Sequence, residues 1–209
     1  MAVYKSFSAS NYAQAAQTAA QYLQETGIFD AVTRSDNVIS CTYGGEIVAT
    51  FTYSSGRIDV TFGVYSVYAA DIDTFWIGSA KNGVLLDHHN RFVNPTNYRL
   101  YSFAICRSQS GVPMLLFHEL GGSGGNSYTL TADAEYAPAS EADAALRTNN
   151  YYSNLVGVCT IASGASTVAA ADKVFRYADR QTNVPIDALS IISIAGTDYL
   201  TDGYLAVQD

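Results

Sequence analysis

Val38-Ile39-Ser40-Cys41-Thr42-Tyr43-Gly44-Gly45-Glu46-Ile47-Val48-Ala49-Thr50-Phe51-Thr52-Tyr53-Ser54-Ser55-Gly56-Arg57-Ile58-Asp59-Val60-Thr61-Phe62 alternates apolar and polar residues with a period of two. Ile39, Cys41 and Tyr43 form one phase of the first run. Ile47, Ala49, Phe51 and Tyr53 form that of the second, and Ile58, Val60 and Phe62 that of the third. Successive strand side chains face opposite sides of a sheet, so this pattern predicts strands with one apolar face. Gly44-Gly45 and Ser54-Ser55-Gly56 separate the runs, which makes an antiparallel meander.

Upstream the period changes. Tyr12, Ala15, Ala16, Ala19, Tyr22 and Leu23 recur at helical spacing, which predicts a helix over Ser10 to Thr26. Ser10 is placed to cap its first turn and Gly27 to end its last. The helix has a stripe to bury and the meander a face to cover, so the two should pack together. Residues 1–70 are therefore expected to form a helix-plus-meander unit, and residues 71–209 a mostly antiparallel β body. The predicted fold class is α+β.

In the second range, Thr74–Gly78, Val84–His88, Tyr98–Cys106, Pro113–Leu120, Ser127–Ala132, Leu155–Ile161, Leu189–Ala195 and Tyr204–Val207 read as strands. Many are separated by turns containing Gly or Pro. Val168 to Arg180 is ambiguous, because its alanines favour helix while its neighbours favour strand.

Composition narrows the function classes. In 209 residues, 48% are apolar and only 14% charged, and 19 acids against 11 bases leave a net charge of −8. A chain without a basic stripe is a poor match for nucleic acid. The opening Met1-Ala2-Val3-Tyr4-Lys5-Ser6-Phe7 lacks a charged segment followed by an apolar one, and no apolar run reaches transmembrane length. The expectations are no membrane partner and synthesis in a cytoplasm without a signal peptide. Cys41, Cys106 and Cys159 are odd in number, lie far apart and sit in apolar runs, which reads as buried free thiols.

Several residue groups carry potential chemistry. Gly121-Gly122-Ser123-Gly124-Gly125 matches G-x-S-x-G, but a nucleophile elbow needs a helix after the serine, and Asn126–Ala132 reads as a strand. The last histidine, His118, also precedes Ser123, against the order that such hydrolases require. A hairpin loop is the simpler account. His88, His89 and His118 are the only histidines, with Asp87 and Glu119 beside them. One of the first two could join His118 and Glu119 around a metal if their strands pair, whereas turn or surface histidines need no such pairing. Asp71-x-Asp73 and the Asp198, Asp202 pair read as caps and turns. No cofactor fingerprint occurs, so no cofactor or metal is expected.

The 16 tyrosines are the least ordinary feature, and Tyr151 and Tyr152 stand together in a loop. Tyrosine combines apolar area with a hydroxyl, which suits contacts with proteins or sugars. The closing block, Ile191-Ile192-Ser193-Ile194-Ala195-Gly196-Thr197-Asp198-Tyr199-Leu200-Thr201-Asp202-Gly203-Tyr204-Leu205-Ala206-Val207-Gln208-Asp209, resembles the ends of virion structural proteins of tailed bacteriophages and their prophages. That resemblance implies a non-enzymatic, homo-oligomeric building block of a tail, neck or head-decoration complex, whose partners are itself and other virion proteins. Its contacts are expected at Tyr151, Tyr152, Gly121, Gly122, Ser123, Gly124 and Gly125. The alternatives are a carbohydrate-binding or adhesive module using aromatic loops, and a small serine hydrolase at Ser123. Ile191, Ile192, Ile194 and Tyr204 to Val207 are expected to be paired core strands.

Overall fold

A computed structural model of the chain describes residues 1–63, 65–70, 72–89, 101–107, 111–120, 154–160, 174–176, 189–194, 196–202 and 205–209. Within these ranges, the side chains at 65, 67, 87–89, 101–102, 117–120, 154–160, 174–176 and 194 fall outside the description. The fold is α+β: a single α-helix among the described residues, with three antiparallel sheets.

Helix α1 runs Tyr12–Glu25 after a short 3-10 turn at Ala9–Asn11. Ala15, Ala16, Ala19, Tyr22 and Leu23 are buried, as their spacing predicts, and Thr18 joins them. The N-terminal cap differs from the expectation. Ser10 Oγ is hydrogen-bonded to Ser8 Oγ (2.9 Å), and the helix begins at Asn11 without a side-chain cap. Entry is fixed instead by the Ala9 N–H donating to the Asp73 carbonyl (2.9 Å), a long-range tie that no local motif announces. At the other end Gly27 takes φ +63°, which a β-carbon would make costly, and its N–H donates to the Gln24 carbonyl. Ile28 and Phe29 then fold back into the core.

The meander comprises β2 (Ala31–Ser35), β3 (Val38–Tyr43), β4 (Glu46–Ser54), β5 (Arg57–Phe62) and β6 (Tyr65–Ala70), paired in chain order. Gly44 and Gly45, at φ +63° and +86°, turn the chain between β3 and β4. Ile39, Cys41, Ala49, Phe51, Tyr53, Ile58, Val60 and Phe62 are buried, which is the alternation read from the sequence. Ile47 breaks it, at 65% exposed. Cys41 pairs with Ala49 but Thr42 with Ile47, so β4 holds an extra residue there. The bulge turns Ile47 out of the core phase, and Val48 packs against the core instead.

The central sheet follows the order β1 (Val3–Ser8), β7 (Thr74–Ala80), β8 (Gly83–His89), β9 (Tyr101–Arg107), β10 (Pro113–Leu120) and β11 (Asn154–Thr160). One of its faces packs on α1 and the meander through Phe75, Ile77, Val84, Leu86, Phe103, Ile105 and Leu115. The other carries Trp76, Ala80, Leu85, Ala104, Cys106, Met114 and Leu116 against the third sheet. A strand buried on both sides has no polar phase, which is why this region lacks a clean alternation. Strand β1 escapes local reading altogether: Val3-Tyr4-Lys5-Ser6-Phe7-Ser8 is mostly exposed and gains its partner, β7, from across residue 70.

The third sheet has the order β12 (Val174–Arg176), β15 (Leu205–Gln208), β14 (Thr197–Thr201) and β13 (Ser190–Ile194). The expectation that 191–194 pairs with 204–207 needs correction. Thr197–Thr201 lies between them and pairs with both. Leu200, Leu205, Ala206 and Val207 are fully buried, but Ile191 is 45% exposed because β13 lies at the edge. Val174–Arg176 is strand, which resolves that part of the ambiguous stretch. The sheet approaches β7 and β8 at glycines: a β-carbon on Gly78 would stand 2.5 Å from Leu200 Cδ2, and one on Gly83 would stand 3.1 Å from Val207 Cγ1.

The last residues fasten this layer to the rest. The Ala2 N–H donates to Asp209 Oδ2 (2.8 Å) and the Lys81 N–H to Asp209 Oδ1 (3.2 Å). The Gln208 carbonyl accepts from both the Asn82 N–H and its side-chain amide, each at 3.1 Å.

Candidate functional site

Two features of this architecture have functional content: the strands that end each sheet among the described residues, and one end of the central sheet.

Each sheet ends in a strand bearing a large exposed apolar side chain. Val3 (42%) and Tyr4 (46%) lie on β1, Tyr68 (51%) on β6 and Ile191 on β13. An unpaired edge offers backbone N–H and C=O groups to another chain, and apolar side chains on it add buried area. Tyr68 carries a local cluster. The Arg57 guanidinium lies 4.4 Å from its ring centroid and donates to both Asp59 carboxylate oxygens. The hydrogen bond from Arg57 to Asp59 raises the guanidinium's already high pKa. The opposite edge strand of that sheet, β2, carries exposed Arg34.

The second feature is the end of the central sheet where β8 and β10 finish and β9 and β11 begin. All three histidines stand there, two on β8 and one on β10. Asp87 pairs with Ser102 and Ser102 with His118, so these three positions form one row across three strands. Trp76 continues the row on β7, opposite Asp87. Strands β8 and β10 do not pair directly, because β9 separates them. The grouping of one early histidine with both His118 and Glu119 is therefore not what the topology brings together.

In sequence, the expected contact residues adjoin the described ends of β10 and β11. Gly121 follows Leu120, the last residue of β10, and Tyr152 stands two positions before Asn154, the first of β11; Leu120 and Asn154 are cross-strand partners. Gly121, Gly122, Ser123, Gly124, Gly125, Tyr151 and Tyr152 themselves lie outside the described residues, as does the strand expected at Ser127–Ala132.

The described thiols are not poised for chemistry. Cys41 and Cys106 are free and buried; burial pushes the Cys41 thiol up to about 12 and that of Cys106 higher still. Both stay protonated at neutral pH, and a protonated thiol is neither nucleophile nor metal ligand. Tyr53, fully buried and packed edge-on against Phe75 at 5.2 Å between ring centroids, has its hydroxyl pKa raised by burial. Its hydroxyl has no hydrogen-bond partner among the described residues. No helix among the described residues is long and apolar enough to cross a membrane. Among residues with described side chains, no three His, Cys, Asp or Glu groups converge as metal ligands; the histidines are outside that set.

Comparison with known proteins finds no family model, no curated protein and no solved structure that matches this chain.

Proposed function

We propose that this chain is a non-enzymatic structural protein that works by assembling with copies of itself and with other virion proteins, in a tail, neck or head-decoration complex of a tailed bacteriophage or prophage. The observation that carries the assembly part is the presence, on three separate sheets, of an edge strand with an exposed large apolar residue: Val3 and Tyr4, Tyr68, and Ile191. Soluble monomers usually blunt such edges with charge, cover or short length. Here β1 carries a single Lys5 among its six residues and β13 carries no charge. Edges on different sheets allow contacts in more than one direction, which a ring or lattice of identical subunits needs. The virion assignment adds the resemblance of the block from Ile191 to Asp209.

The test is native mass by light scattering with negative-stain imaging of the same fractions. The expected result is a defined oligomer or ring that loses mass when Tyr4→Lys or Ile191→Lys places charge on an edge. Both residues are exposed, so the fold should tolerate the changes. A monomer at every concentration, unaltered by either substitution, would overturn the reading.

A further inference from the structure

We propose that β1 pairs with β1 of a second copy of this chain, antiparallel and centred on Ser6, so that two central sheets continue into one across a two-fold axis. This contact rests on the assembly reading above and specifies one of its interfaces.

The direction of the backbone groups on β1 follows from its register. Strands β1 and β7 pair without a bulge from Val3 opposite Ser79 to Ser8 opposite Thr74, and at the next position the Ala9 N–H donates to the Asp73 carbonyl. In an antiparallel ladder, directly opposed residues alternate between exchanging both hydrogen bonds and exchanging none. Ala9, Phe7, Lys5 and Val3 therefore turn their N–H and C=O groups towards β7, and Ser8, Ser6 and Tyr4 turn theirs away. Ala2, next in the outward phase, agrees: its N–H leaves the sheet for Asp209 Oδ2. Among the described residues β1 is the outermost strand of its sheet, and Val3, Tyr4, Lys5, Ser6 and Ser8 are exposed. One lysine is all that blunts it, since it has neither proline nor bulge.

The strand's own sequence selects the occupant and the register. A two-fold axis through an antiparallel pair sets one residue against its own copy. Centred on Ser6, Tyr4 meets Ser8 of the copy, Ser6 meets Ser6, and Ser8 meets Tyr4, so every outward residue exchanges both of its hydrogen bonds. Lys5 then lies opposite the half-buried Phe7, where its aliphatic stem can cover the ring. Centring on Lys5 instead would put like charges directly opposite, which destabilises. Centring on Tyr4 sets Ser6 against Ala2, whose N–H already serves Asp209; centring on Phe7 sets Tyr4 against Ser10, in the 3-10 turn. The strand is thus complementary to itself in one register, which a second copy requires and an unrelated strand does not. The axis stands perpendicular to the sheet, so both α1 helices stay on one face and both third sheets on the other.

Cysteine pairing in the full chain reads the register. Opposed residues that exchange hydrogen bonds have Cα atoms about 5.5 Å apart, within disulfide reach, whereas Tyr4 and its own copy would lie roughly 14 Å apart. The background is Cys159→Ser, with Cys41 and Cys106 buried. On mild oxidation Ser6→Cys should give a covalent dimer. Tyr4→Cys and Ser8→Cys should each stay uncrosslinked alone and crosslink when mixed. Separately, Ser6→Pro removes an outward N–H and no bond to β7, and edge strands tolerate proline at such positions. It should keep the cooperative melt and lower the light-scattering mass about twofold or more. A folded Ser6→Pro with unchanged mass, no Ser6→Cys dimer, or Tyr4→Cys crosslinking alone as readily as Ser6→Cys would overturn this contact while the assembly reading stands. A wild-type monomer at every concentration overturns both. Should Ser6→Pro fail to melt cooperatively, the crosslinking pattern of the cysteine variants decides.

Discussion

Replacing Gly78 by alanine tests the packing of the third sheet on the central one. The new methyl would lie 2.5 Å from Leu200 Cδ2 and 2.9 Å from Leu189 Cδ1, both inside contact distance. Leu200 is fully buried and Leu189 nearly so, which leaves little room for either to turn away. Overpacking of this size costs about 1–3 kcal/mol. Alanine recovers about 0.5–1 kcal/mol of the backbone entropy that glycine loses in a strand. The net expectation is a loss of about 1–2 kcal/mol, or about 2–8 °C in melting temperature for a chain of this length. Leu200→Ala alone should cost about 2–5 kcal/mol through lost burial and the cavity left behind. In that background the methyl at 78 enters vacated space and Leu189 can shift. Gly78→Ala should then cost little, giving a favourable coupling of about 1–2 kcal/mol. Urea unfolding, followed by Trp76 fluorescence and by far-UV circular dichroism, measures all four corners of the cycle where the two probes coincide. Equal costs of Gly78→Ala in both backgrounds, or no cost in either, would refute this packing.

Other perturbations test separate parts of the structure. Gly83→Ala should be worse than Gly78→Ala, because its β-carbon would stand 2.5 Å from the Ile105 carbonyl oxygen, a backbone atom that no rotamer change can move; a milder loss than at Gly78 would count against the β8–β9 geometry. Burial alone would raise the Asp209 carboxyl pKa, but the Ala2 and Lys81 N–H groups and the nearby N-terminal ammonium outweigh it and hold it below the usual range. Its contribution is therefore present above the ordinary carboxylate pKa of about 3.9 and fades as pH falls through the lower folded value. Asp209→Asn should flatten the acid limb of the stability curve by under about 1 kcal/mol, given solvent screening, and an unchanged acid limb would remove the clamp from the account. In a Cys159→Ser background, Cys41 and Cys106 should resist a thiol reagent at pH 8 until the protein unfolds, and rapid native labelling would contradict their burial. Truncation after Ala195 removes β14 and β15, with Leu200, Leu205 and Val207, and should abolish the cooperative melt; a soluble, cooperative truncation would show that the third sheet is dispensable.

Helix α1 and the meander were legible because each exposes one side to water. Ala15, Ala16 and Ala19 mark the buried stripe of the helix, and Phe51, Tyr53, Val60 and Phe62 the inner phase of the sheet. The bulge at Ile47 was not legible, since one extra residue changes the phase without changing composition. The contact residues chosen from composition, Gly121 to Gly125 with Tyr151 and Tyr152, adjoin the histidine-bearing end in sequence but lie outside the described residues. Ser10 looked like a helix cap, but the entry to α1 is held from Asp73, beyond the reach of local sequence.

By itself, then, the sequence determined the elements whose burial is one-sided, because solvent on the other face imposes a readable period. Tertiary structure alone decided the rest. Strand β1 is a strand because β7 pairs with it, and β7 to β10 lost their alternation because both faces are covered. Thr197–Thr201 stands between the two segments expected to pair. The row of Asp87, Ser102 and His118 follows the same logic: the register between strands far apart in the chain is fixed by which side chains fill the layers, and no local pattern encodes it.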